Sequence, residues 1–293
     1  MKKKISNLEK GQRADIGDLT IYRILPNRNS AAVGPFVFLD HIAPKVHLAH
    51  TNEKSRGTGE HPHRGIATLT YILHGEAEHF DSMGNNAIVK SGGIQWMKAG
   101  NGIIHDESLV PDPNDQQRLT HAFQFWINLP PKNKAESPQY IAVQADDVPK
   151  RILHSHAGWL KVIVGEYENL KSIIPGYSIQ YIYHLHLEPG RQFSMNTKEG
   201  LEYAAFLPEL GAMINGNNFS EGVLIEFERN EGEIEVTNTN ETAMDILLFG
   251  GEPYSDPIVA QGPFVMNTQS EIPAAYNDYH AGKYGKINHA LSN

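Results

Sequence analysis

The 293-residue chain contains no cysteine. That one absence removes disulfides, thiolate metal ligands and cysteine nucleophiles together. Positive charge is scarce: 25 Lys plus Arg stand against 34 Asp plus Glu, a formal net charge of −9. The only basic run, Lys2-Lys3-Lys4, reads as a solvated tail. Neither nucleic acid nor an anionic membrane is therefore expected as a partner. Long apolar runs are missing too. The longest, around residues 31 to 39, is interrupted by Gly34 and Pro35 and is far too short to cross a bilayer. No apolar stretch follows the lysines, where the chain continues Ile5-Ser6-Asn7-Leu8-Glu9-Lys10. A secretory signal is not expected, and cytoplasmic residence is the default.

Long amphipathic helical patterns are also lacking; short strands take their place. In residues 68 to 73, Leu69, Tyr71 and Leu73 alternate with Thr68, Thr70 and Ile72, and residues 177 to 187 alternate in the same way. Period two is the strand signature. Residues 120 to 129 and 244 to 249 are further strand candidates. Turn residues separate them, among them Gly75, Gly84, Gly92-Gly93, Gly100-Asn101-Gly102 and Pro189-Gly190. Short strands at regular turn spacing imply an all-β sandwich or barrel. The Pro-rich stretch from Leu129 to Pro149 reads as a linker, dividing the chain into a domain over 1–135 and another over 136–293. From Ala274 onward the chain reads as a tail laid over a surface.

Histidine is the unusual entry. Nine of fifteen (41, 47, 50, 61, 63, 74, 79, 105 and 121) fall within 81 residues, about 28% of the chain, where an even spread would place roughly four. Without cysteine, imidazole and carboxylate are the strongest transition-metal ligands left. In the extended segment Glu60-His61-Pro62-His63 the two imidazoles project to one face. His105-Asp106-Glu107 repeats that two-residue spacing. If the two segments lie on neighbouring strands, His61, His63, His105 and Glu107 converge. Three neutral imidazoles and a carboxylate suit one divalent first-row ion with open positions for substrate or dioxygen. A structural zinc site is the other reading, but such sites usually use cysteine.

Beside this set, His79 and Asp81 read either as a pair orienting the ligands or as an ordinary turn pair. Gln95-Trp96-Met97 and residues 123 to 126 read as the lining of a flat aromatic-binding cavity or as plain core. His41, His74 and His121 are expected to be packing or surface residues, and His184 and His186 strand-surface histidines.

The stretch from His61 to Glu107, HPHRGIATLTYILHGEAEHFDSMGNNAIVKSGGIQWMKAGNGIIHDE, resembles the N-terminal signature of the pirins, a family of the cupin superfamily. Residues 35 to 41 (PFVFLDH) and 123 to 130 (FQFWINLP) agree with it. Residues 248 to 253 (LFGGEP) and 261 to 268 (QGPFVMNT) resemble the family's second domain. The resemblance covers most of the chain. It implies a bicupin, two jelly-roll-like β-barrels in one chain, with metal in the N-terminal barrel only. The ligands it implies are His61, His63, His105 and Glu107. The metal it implies is Fe(II), where the ligand set alone also admits Mn, Ni or Zn. The general cupin carboxylate, four or five residues past the second His, is absent, since Ala67 and Thr68 stand there. As in pirins, Glu107 takes its place.

The activity the resemblance brings is metal-dependent dioxygenation of flavonols such as quercetin by dioxygen, with ring opening and release of carbon monoxide. Glu107 would ligate and act as general base. The alternative, also brought by the resemblance, is a non-enzymatic, iron-dependent regulator that binds a protein partner. Two barrels in one chain that pack on each other would favour a monomer.

Overall fold

The computed structural model describes residues 1–17, 19–48 and 57–289. His50, one of the clustered histidines, lies outside them. The architecture is all-β, with the single α-helix Glu271–His280 among the described residues. Among the described residues no helix is long and apolar enough to cross a membrane.

The chain forms two compact units, and they are not its contiguous halves. One comprises Arg13–Tyr22, Leu39–Asp147 and Ser255–Asn293; the other comprises Met1–Gln12, Arg23–Phe38 and Val148–Tyr254. The expected division at 135/136 is thus corrected, because chain ends are assigned by what they pack on and not by order. The linker expected over residues 129 to 149 is corrected as well. Within it Gln139–Val143 is a strand, pairing antiparallel with Ile94–Lys98 from Gln139↔Lys98 to Val143↔Ile94. Pro138 immediately precedes that strand, where a missing N–H costs no ladder bond.

In the unit that carries the clustered histidines, a four-stranded sheet runs in the order His61–His63, Ile103–Val110, Glu76–Asp81, Asn86–Lys90. A second sheet carries Gln139–Val143, Ile94–Lys98, Ile66–His74, Leu119–Asn128 and Phe36–Val46 in that order, and continues through two short strands. Period-two alternation in the second sheet divides the aromatic segments in two. Trp96, Phe123 and Phe125 are fully buried core, whereas Gln124 and Trp126, on the opposite face, stay half-buried. Gln95, Trp96 and Met97 are all buried, so the core reading holds for that segment. Each fully buried Phe or Leu contributes about 1.5–3 kcal/mol relative to exposure.

Two central histidines of this sheet are core residues. His41 stacks on Phe123 at 5.0 Å, and its Nε2 lies 2.8 Å from Nε2 of His121. Burial pushes the His41 pKa down to about 4. Lowered in the folded state from 6.5, it binds its proton only when the chain unfolds, so folding loses stability as pH falls from about 6.5 toward 4. Replacing His41 by Gln is expected to flatten the slope of unfolding free energy over that window by up to one proton, about 1.4 kcal/mol per pH unit. Urea midpoints at a series of pH values would check this; an unchanged slope rules it out.

The other unit packs a seven-stranded sheet on a four-stranded one. Leu160, Leu185, Ala205, Ile225 and Ile246 of the larger sheet meet Phe193, Ile214, Ile234 and Val236 of the smaller in one core. His184 corrects the surface expectation, being buried with Nε2 2.8 Å from Asp245 Oδ1. His186 bonds the same oxygen at 2.7 Å and stacks on Trp159. A shared carboxylate gives both imidazoles a partner on the face opposite the core residues Tyr183, Leu185 and Leu187.

Candidate metal centre

Register builds the site. Strand Ile103–Val110 lies between two partners: on one side His105 pairs with His61 and Ile103 with His63, and on the other His105 pairs with Asp81 and Glu107 with His79. Residues directly opposite share a face, as do residues two apart. His61, His63, His105, Glu107, His79 and Asp81 therefore all project from one side of the sheet.

Two overlapping groups result. Ligand atoms of His61, His63 and His105 all lie within 4.8 Å of one another, and so do those of His79, His105 and Glu107. Three of the four ligands expected from sequence thus converge, while Glu107 is grouped with His79 across the shared His105. Glu107 Oε1 lies 3.7 Å from His79 Nδ1 and 3.9 Å from His105 Nδ1. Thr70 Oγ1 from the facing sheet approaches the same oxygen at 3.4 Å and donates to Gln124 Oε1 at 2.5 Å.

The protonation states follow from the acceptors. His61 Nδ1 sits 2.7 Å from the Gly59 carbonyl, and His63 Nδ1 3.0 Å from the Pro263 carbonyl. A carbonyl can only accept, so both Nδ1 atoms carry hydrogen and both Nε2 atoms hold a lone pair. His61 Nε2 faces His105 Nε2 at 2.9 Å. Burial and the adjacent His61 push the His63 pKa down to about 3, and burial holds His105 well below the usual range, with His63, His61 and His79 opposing a further charge. Three imidazoles whose ligand atoms converge on one space supply, as neutral rings, the donor set a divalent ion requires. The fully buried His105 Nδ1 has no hydrogen-bond partner, an orphaned polar atom beside the Nε2 that faces His61. The residues present fit a metal.

His79 is fully buried. Its Nε2 lies 3.1 Å from Asp81 Oδ2, and the Tyr140 ring stacks on it at 4.1 Å. Asp81 is fixed in turn by the backbone N–H groups of Met83 and Asn85 and by the Asn85 amide. Burial opposes a charge on His79, yet the carboxylates of Asp81 and Glu107 raise its pKa above the ordinary value. The pair seen in the sequence is a hydrogen-bonded turn pair beside Glu107. Asp81→Asn is expected to free His79 and lower metal affinity about 10- to 100-fold, the usual cost of losing a group that orients ligands; calorimetric titration would measure it.

Sequence reasoning missed two contributors. Pro263 acts through its carbonyl, which carries no residue-type signal. Trp126, whose ring meets His63 edge-on at 4.9 Å, was legible only as one of an aromatic run. Among the described residues, both groups close enough to hold an ion fall in this unit.

Comparison with known proteins matches the Pirin family to residues 19–127 and the Pirin C-terminal cupin domain to residues 182–285. The chain belongs to the pirin family. Its architecture is accordingly that of a bicupin, with the histidine site in the unit that holds most of the N-terminal pirin match. A crystal structure of quercetin 2,3-dioxygenase from Acinetobacter baumannii superposes with a TM-score of 0.89 at 32% identity, covering 98% of this chain and 100% of that one. A pirin-like protein of Caulobacter vibrioides is 32% identical over 274 residues, 93% of this chain and 92% of its own. A Pseudomonas aeruginosa relative, 29% identical over 286 residues (97% and 99%), bears the quercetin 2,3-dioxygenase name as a provisional one.

Proposed function

We propose that this pirin is a metal-dependent dioxygenase of flavonol-type substrates, with His61, His63, His105 and Glu107 as ligands and Glu107 as general base. The observation that carries the reading is the convergence of three imidazole ligand atoms within 4.8 Å, two of the rings held by carbonyls through Nδ1. The likeness to the Acinetobacter dioxygenase over the full chain supplies the substrate class. A divalent ion, with iron the metal proposed, would supply Lewis acidity toward an enolic oxygen and redox chemistry toward dioxygen.

The chain's own residues do the rest. Glu107 lies on the neighbouring side of His105, in a position to turn toward the ion or accept a substrate hydroxyl proton. His79, held by Asp81, stands behind Glu107 with Nδ1 3.7 Å from its Oε1. Trp126 offers an aromatic face beside His63, and Thr70 and Gln124 offer polar anchors for a planar phenolic ligand.

The test is aerobic loss of the quercetin absorption band with Fe(II)-reconstituted protein beside His63→Ala, with metal content measured in both. Turnover by the unsubstituted protein alone supports the reading. Full, His63-dependent loading without turnover removes the flavonol and favours a regulatory role exerted through a protein partner.

A further inference from the structure

The last part of the chain does more than cover a surface. Its first contact is with a proposed ligand: the Pro263 carbonyl accepts from His63 Nδ1 at 3.0 Å. Beside it Phe264 bridges Arg64 in parallel, and Val265 N–H donates to the Arg64 carbonyl at 3.1 Å. Lys134 Nζ then ties the two segments together, donating to the carbonyls of Gly65 and Val265 at 2.7 Å each and to Asn128 Oδ1. The approach is so close that a Cβ on Gly65, at φ +82°, would lie 2.0 Å from the Val265 carbonyl oxygen.

The second contact is with the other ligand strand. Ile104, next to His105, packs with Phe264, Met266, Ile272, Ala275 and Tyr284. The Tyr284 ring lies flush on Gly102, where a Cβ would come within 2.1 Å of it, and the Tyr284 carbonyl accepts from Ser82. Arg64 closes the strap by bonding Asp278 at 2.7 Å and the Tyr284 hydroxyl at 3.3 Å. One segment thus grips the strand bearing His61 and His63 and the strand bearing His105.

We infer that residues 263 to 284 form a strap that positions the metal site: by fixing the tautomer and plane of His63 against His105, it couples its own docking to metal loading. The inference rests on the proposal that His61, His63 and His105 hold the ion. Coupling between two events is reciprocal. A docked strap strengthens binding, and binding holds the strap down by the same factor.

The experiment uses the full chain and cobalt(II) as probe, with affinity read from its d–d absorption bands and strap docking from hydrogen exchange. In the unsubstituted protein, cobalt is expected to slow exchange of strap amides, Val265 among them, and to leave them unchanged in His63→Ala. Tyr284→Ala and Asp278→Asn are expected to weaken cobalt binding about 10- to 100-fold, with Tyr284→Phe restoring most of the affinity. A strap that serves stability alone would lower the unfolding temperature of the variants while leaving cobalt affinity and strap exchange uncoupled. That result overturns the inference. The exchange arm needs no strap variant, so a variant that fails to fold does not shield the idea. An unsubstituted protein that takes up no cobalt overturns the metal proposal along with the coupling. His63-dependent binding that Tyr284→Ala leaves intact overturns the coupling alone.

Discussion

His105→Ala is expected to abolish metal loading at micromolar ion and, with it, turnover. His105 is the one residue common to both ligand groups: its Nε2 faces His61, and its Nδ1 lies 3.9 Å from Glu107. A four-ligand ion site in a small protein is worth about 10–16 kcal/mol, so one ligand accounts for roughly 3 kcal/mol, on the order of 100-fold in affinity. His105 should exceed that share, since its loss also leaves His79 and Glu107 without their third member. The fold should survive, because the His105 side chain is buried with Nδ1 already unpartnered and its removal strands few new polar atoms. Metal content after dialysis, beside circular dichroism of the same sample, checks the prediction. A folded variant that loads normally would falsify the centre as drawn. His105→Gln, which keeps the volume, serves as the second variant.

Glu107→Gln should behave differently. Three imidazoles remain to hold the ion, and Glu107 is not a member of their group in this structure. Metal is therefore expected to be retained in good part, while turnover falls about 10²- to 10⁴-fold, the range for loss of a general base. The amide also presents an N–H₂ to its surroundings, where the carboxylate faced His79 Nδ1. Steady-state kinetics on metal-matched samples would measure it. Near-normal kcat with normal loading sinks the base role; loss of metal equal to that in His105→Ala makes Glu107 chiefly a ligand.

The parts of the site that were readable in advance share one property. The His61–His63 and His105–Glu107 spacings declare a face by themselves, since alternation in a strand is fixed by backbone geometry. What the spacings do not state is which strands meet and in what register. His79 and Asp81 were visible as a pair, yet their bearing on Glu107 follows from the pairing of Glu107 with His79 and of His105 with Asp81. A shift of one residue would have sent His79 and Asp81 to the opposite face. Lys134, hidden in a stretch read as a linker, is buried because three oxygens surround its ammonium. His184 is buried because one carboxylate serves it and His186 together.

The sequence by itself determined the all-β class and the identity of the candidate ligands through local spacing and residue chemistry, and pointed to the pirin family through the resemblance carried by residues 61 to 107. Only the tertiary structure decided that Glu107 stands with His79 and not within the trio of imidazoles. Only it decided that residues 255 to 293 belong with the histidine unit, where a carbonyl of Pro263 orients His63. The physical reason is the same in each case. Backbone carbonyls and strand registers carry no side-chain signature, and long-range pairing is settled by which faces must be buried together once the whole chain has folded.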